Sequence, residues 1–254
     1  MKRFDPRIII GLLLLLGGGL ALAQTLGYLE NVTGYFWGGV FLLGGLMFLA
    51  MLFGGNWWAA FPGFTLAALG VVVLLPESLD ELEGAVLLGG IALSFWYVYF
   101  SNRASRWWAI IPGGVLTALS LLIVASSFFD EYSGAIVLGG IGLTFFLVYI
   151  TAPVERWWAL IPGGVLATLA AMTVATERFG AFESGGFFFL GLALTFLLVA
   201  VLARMRWAYW PALILGIMGA LALVNLMNIA NYVWAAILIL AGGFMIARAF
   251  MRRT

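Results

Sequence analysis

A block that starts with Trp-Trp, continues into Pro-Gly-Gly and returns through a glycine-rich apolar run recurs along this chain about every 50 residues. From Arg106 the sequence reads RWWAIIPGGVLTAL, an apolar run, the polar patch Asp130-Glu131, then GAIVLGGIGLTFF. From Arg156 it reads RWWALIPGGVLATL, a polar patch around Glu177 and Glu183, then GFFFLGLALTFLL. Asn56 opens a looser copy, NWWAAFPGFTLAAL followed by GAVLLGGIALSFW, and Arg206 opens the most altered one, RWAYWPALILGIMGAL. The first 55 residues carry two apolar runs without the Trp-Trp-Pro signature. Two apolar runs per copy, each near membrane thickness, predict an array of transmembrane helical hairpins.

Composition closes off a water-soluble alternative. Hydrophobic residues make up 65% and charged residues 9%, where soluble domains run near ~25% charged. The runs are apolar on all sides, so each helix must be buried or face lipid. Cysteine and histidine are both absent. That removes disulfides, thiolate chemistry, imidazole metal ligation and histidine proton transfer. A net charge of +1 offers nothing to nucleic acid. The run after Lys2 and Arg3 is longer than the core of a cleavable signal and reads as a first membrane span.

Ten spans are expected: Ile8–Tyr28, Phe36–Phe53, Trp57–Leu75, Ala85–Phe100, Trp107–Ser126, Ala135–Ile150, Trp157–Thr176, Phe187–Ala203, Trp207–Leu223 and Val233–Ala247. The second arm of each pair reads as the shorter one. The predicted architecture is all-α: one membrane domain, 1–254, of five tandem parallel hairpins at 1–55, 56–105, 106–155, 156–205 and 206–254. Two helices per copy mean that every copy enters from the same side, unlike inverted-repeat transporters.

Charge sorting predicts the direction. Lys2, Arg3, Arg7, Arg103, Arg106, Arg156, Arg204, Arg206, Arg248, Arg252 and Arg253 fall on the side of the termini and even-numbered loops, and only Arg178 falls on the other. Glu30, Glu77, Asp80, Glu81, Glu83, Asp130, Glu131, Glu177 and Glu183 fill the odd-numbered loops, while Asp5 and Glu155 lie with the basic set. Positive loops stay cytoplasmic. Both termini are therefore expected inside a cell (inner) membrane, with the acidic loops outside. Trp57, Trp58, Trp107, Trp108, Trp157, Trp158, Trp207 and Trp210 gather at the inner start of first arms, where indoles anchor at headgroup depth. Pro62, Pro112, Pro162 and Pro211 follow within about a turn, where a missing N–H costs little. The motif thus reads as an interfacial anchor and helix start in preference to a binding site.

Glycine pairs stand inside the apolar runs at Gly44-Gly45, Gly89-Gly90, Gly113-Gly114, Gly139-Gly140, Gly163-Gly164 and Gly242-Gly243. Small residues let membrane helices approach closely; no Lys-Ser/Thr follows, so they are not phosphate loops. Ser94, Thr144 and Thr195 hold equivalent places in three copies. They read as shared packing positions, with a polar pore lining as the alternative. No ionisable residue falls mid-span, which leaves neither the groups of a proton-coupled transporter nor a nucleophile with its base. No enzyme activity, cofactor, metal or catalytic residue is expected. The acidic stretch Glu77 to Glu83 reads as a solvated outer loop, because its spacing does not match a calcium loop.

The copies at Arg106–Ile150 and Arg156–Ala203 resemble the HdeD-like acid-resistance family, a domain-of-unknown-function group of tandem hairpins with Trp-Trp, Gly-Gly and a glycine-rich return helix. The stretch from Trp210-Pro211 through Gly216 and Asn225 resembles the transmembrane domain of LiaI/LiaF-type envelope-stress proteins. The resemblance implies a bacterial envelope setting and supplies no catalytic residue. The expected function is a non-catalytic integral membrane scaffold, accessory subunit or envelope-stress component. The alternative is a channel or facilitator for a small neutral solute or lipid. The expected partners are the lipid bilayer and other membrane subunits or further copies of the chain.

Overall fold

The computed structural model describes residues 6–28, 32–126, 129–179, 184–223, and positions 238, 239 and 242. Every regular element among them is helical. The α-helices in order are α1 (Pro6–Thr25), α2 (Val32–Ala50), α3 (Ala60–Leu74), α4 (Glu83–Ser101), α5 (Ile110–Ser126), α6 (Ser133–Thr151), α7 (Leu160–Phe179), α8 (Ser184–Leu202) and α9 (Tyr209–Leu223). Eight of the described helical segments, those of α2 to α9, are long and apolar enough to cross a membrane. Helix α1 covers most of the expected first span, with a described apolar stretch, Leu14–Thr25, shorter than a full crossing. The expected tenth span, with Trp234 and the C-terminal arginines, lies outside the described residues, as do Lys2, Arg3, Asp5, Glu30 and Glu183.

The Trp-Trp motif forms a start of its own. Trp57–Ala59, Trp107–Ala109, Trp157–Ala159 and Arg206–Ala208 are single 3-10 turns that run straight into α3, α5, α7 and α9. Pro62, Pro112, Pro162 and Pro211 are the third residues of those α-helices. First-turn N–H groups have no α-helical acceptor, so proline removes little there. The expectation of shorter second arms fails in two of these three pairs: against 15, 17 and 20 residues for α3, α5 and α7, the second arms α4, α6 and α8 are each 19 residues long. Their helices begin at Glu83, Ser133 and Ser184 in the polar loops, ahead of the first apolar residue used to bound them.

Contacts divide the chain into two compact units, Met1–Val148 and Tyr149–Thr254. Within the first, α1 packs on α2, α2 on α3, α3 on α4 and α4 on α5. Helix α5 meets α6 where Gly114 faces Thr144 and Gly140 faces Ala118. The buried core includes Ala60, Val98 and Ala109, covered by Leu52, Phe61, Phe64, Phe95, Tyr97 and Tyr99. Within the second, α8 packs on both α7 and α9, around buried Ala159, Leu160, Val199, Ala200 and Ala208. Within each unit these contacts join helices adjacent in sequence, and many apolar side chains among the described residues stay open. Leu93, Leu143 and Leu194 are each more than half exposed. An apolar exterior of this kind is solvated by lipid.

Candidate functional site

The three equivalent hydroxyl residues are among the most buried polar groups: Ser94 is 0%, Thr144 3% and Thr195 2% exposed. Each hydroxyl donates within its own helix, Ser94 to the Ile91 carbonyl at 2.6 Å, Thr144 to Gly140 at 3.0 Å and Thr195 to Gly191 at 2.9 Å. Such back-bonding satisfies a hydroxyl without a partner helix or water. The rest of each threonine side chain enters a notch opposite. A methyl group on Gly114 would collide with Thr144 Oγ1, and one on Gly164 would collide with Thr195 Oγ1. The reverse fit lies one turn away. Gly140 accepts Ala118, Gly90 accepts Ala68, and Gly191 accepts Thr168. In the copy at 56–105, Phe64 stands where the others have Gly114 and Gly164, and the facing residue shrinks to Ser94.

Adjacent glycines serve two neighbours. Gly90 faces Ala68 of α3, while Gly89 faces the Ser120 hydroxyl of α5. Gly114 faces α6, while Gly113 faces Phe95 and Trp96 of α4. Successive residues on a helix project about 100° apart, which lets one pair open two sides of the same helix.

A further contact was not read from the sequence. On α2 and α3, Leu42 fills the space beside Gly70, and Leu74 fills that beside Gly38; added methyl carbons would lie 2.6 Å from the leucine Cγ atoms in both cases. On α8 and α9, Leu190 meets Gly219 and Leu223 meets Gly186, each with a Cγ at 2.8 Å from an added methyl. The signal is Gly-x-x-x-Leu on both helices of a pair. The fully buried Ala59, Ala109, Ala159 and Ala208 of the start turns were missed as well, although their constant place after Trp pointed to them.

The tryptophans named as anchors sit at helix starts as expected, partly exposed, with Trp210 the most open at 70%. Trp58 meets Phe48 edge-on, Trp57 meets Phe61, and Trp108 meets Phe95. Trp157 and Phe196 both pack against Trp207 at ring distances of 6.3 and 6.1 Å. Trp96 donates to Thr117 Oγ1 at 3.0 Å, and that hydroxyl donates to the Gly113 carbonyl at 2.7 Å. The arginines before the motif are fixed as well. Arg106 donates to Ser101 Oγ and lies 4.5 Å over the Trp57 ring. Arg156 donates to Thr151 Oγ1 and is only 8% exposed.

Two shallow recesses stand apart from these residues. One, of about 470 Å³, is lined by Gly34, Tyr35 and the stretch from Val73 to Glu77. The other, of about 380 Å³, lies on α8 and α9 between Leu194, Leu197, Tyr209 and Leu213. Neither takes in Ser94, Thr144 or Thr195. Glu77, Asp80, Glu81 and Glu83 are exposed, and no three metal-binding side chains converge among the described residues. No protein-family model, curated protein or solved structure matches the chain at a significant level.

Proposed function

We propose that the chain is a non-catalytic integral membrane protein, a scaffold or accessory subunit of a bacterial inner membrane, whose apolar surface engages lipid and other membrane subunits. In this reading ten spans form five parallel hairpins, both termini lie in the cytoplasm, and the Trp-Trp turns mark the inner headgroup level. The supporting observation is the state of Ser94, Thr144 and Thr195. A pore lining presents hydroxyls to a passing solute, whereas these are turned onto their own helices, and two are capped by glycine notches. An envelope-stress role is one setting for such a scaffold.

The test is flux. Liposomes carrying the purified chain should be no more permeable to glycerol or urea than empty liposomes. Solute flux that falls when Ser94, Thr144 and Thr195 become Ala, Val and Val would replace this reading with the facilitator. Direction is tested separately by impermeant labelling of single introduced cysteines, since the chain has none of its own. A cysteine in the loop 127–131 should label from outside intact cells.

A further inference from the structure

One turn is built twice in this molecule with different charges. Between α4 and Trp107 it reads Ser101-Asn-Arg-Ala-Ser-Arg106, and between α6 and Trp157 it reads Thr151-Ala-Pro-Val-Glu-Arg156. The backbones agree. The Arg106 N–H donates to the Asn102 carbonyl and that of Arg156 to the Ala152 carbonyl, both at 2.9 Å. Each carbonyl of these two arginines accepts from the alanine of the start turn, Ala109 at 3.1 Å and Ala159 at 3.0 Å. Each arginine side chain reaches back to the last hydroxyl of the preceding helix. The charges do not agree. The first turn carries two arginines and no carboxylate, whereas the second has Pro153 in the place of Arg103 and Glu155 in that of Ser105.

Arg103 is exposed, its guanidinium resting 5.2 Å from the Phe100 ring and 5.9 Å from the Tyr99 ring. Stacking on a ring face leaves the N–H edges of the guanidinium free, and those edges match two oxygens of a phosphate. Arg106 is already held by Ser101 and Trp57, so it adds a second fixed positive charge to the turn. Asn102 braces the turn by accepting the Ser105 N–H at 3.2 Å. On α4 below, Leu93 and Phe100 are both more than half exposed and stand seven residues apart, two helical turns along one face. This gives a cation at the end of an apolar track.

We propose that the turn Ser101–Arg106 binds the headgroup phosphate of an anionic phospholipid, with Arg103 as the phosphate ligand and the Leu93–Phe100 face carrying an acyl chain. The proposal rests on the membrane-spanning reading above, with this turn at headgroup depth. The second turn is the internal control: Glu155 offsets Arg156 there, and no residue replaces Arg103.

The test is native mass spectrometry of the full chain in a neutral detergent, titrated with phosphatidylglycerol or with phosphatidylcholine. Phosphatidylglycerol should bind more tightly. Arg103→Gln should weaken its first binding step about fivefold, the contribution expected of one basic residue near anionic lipid. Arg103→Lys should retain most of the charge effect, and Glu155→Gln should add binding at the second turn. Excess inorganic phosphate should leave lipid binding unchanged. Equal binding by the parent and Arg103→Gln proteins would overturn the proposal, and displacement by inorganic phosphate would reassign the turn to a small anion. Because these titrations need no bilayer orientation, failure of the topology is read independently: a Ser105→Cys variant that labels from outside intact cells sinks the topology, whatever the lipid affinity.

Discussion

The contact of α2 with α3 and the contact of α4 with α5 solve one packing problem in opposite ways. In the first, the knob is Leu42 on the earlier helix and the hole is Gly70 on the later one. In the second, the equivalent later residue is Ser120, which donates to the Ala85 carbonyl at 2.8 Å, and the hole is Gly89 on the earlier helix. Leu42 and Gly89 occupy matching positions, as do Gly70 and Ser120. What is kept between the two is a glycine on one side of the contact, and the helix that carries it is exchanged. In lipid the hydrophobic effect gives no preference for helix against helix, so close packing and a few hydrogen bonds supply the attraction. A contact made that way tolerates exchange of knob and hole.

The largest effect is expected where the exchange is left half done. Gly70→Ser alone places a hydroxymethyl against Leu42, whose backbone nitrogen lies 2.8 Å from an added carbon, and should cost about 3 kcal/mol. Adding Leu42→Gly converts the α2–α3 contact to the α4–α5 arrangement and should return at least half of that loss in a detergent unfolding titration. A double variant less stable than either single one would break the equivalence of the two contacts.

Next comes the notch on α5. Gly114→Ala drives a carbon into Thr144 and should lower stability by about 2 kcal/mol, with partial recovery on adding Thr144→Gly. Thermal midpoints of the four proteins in one detergent give the coupling; simple additivity would mean the two residues do not share the notch.

Smaller again is Ser120→Ala. It removes the hydroxyl bond to Ala85 while leaving the Gly89 hole empty, and should cost about 0.6 kcal/mol, the average for a polar contact between membrane helices. The smallest effect belongs to Thr144→Val. Among the described residues its hydroxyl bonds its own helix at Gly140, so stability should stay within about 0.5 kcal/mol. A larger loss, measured by the same unfolding titration, would mean that the hydroxyl has a second partner.

Much of the organisation is legible without coordinates because it follows from local chemistry. Trp-Trp-Ala before proline marks the starts of α3, α5 and α7, and the structure places a 3-10 turn there at Trp57, Trp107 and Trp157. The equivalence of Ser94, Thr144 and Thr195 is also visible in the sequence, and all three are buried. The Gly-x-x-x-Leu pairs were not legible. With 33 glycines in the chain and leucine throughout the apolar runs, the pattern occurs far more often than it packs. The lengths of α4, α6 and α8 were underestimated for a different reason: an apolar boundary marks where the hydrocarbon ends, whereas a helix continues into the headgroup region on its own hydrogen bonds.

Sequence alone determined that the segments are helices, where their polar turns fall, and which small residues recur, because backbone hydrogen bonding in an apolar medium leaves few other choices. Tertiary structure decided which side of each helix every small residue faces, and whether it serves as hole or knob. The physical reason is that these helices have no polar stripe to set their rotation. Rotation is set by fitting two surfaces together, and the size of a hole has meaning only beside the residue that fills it.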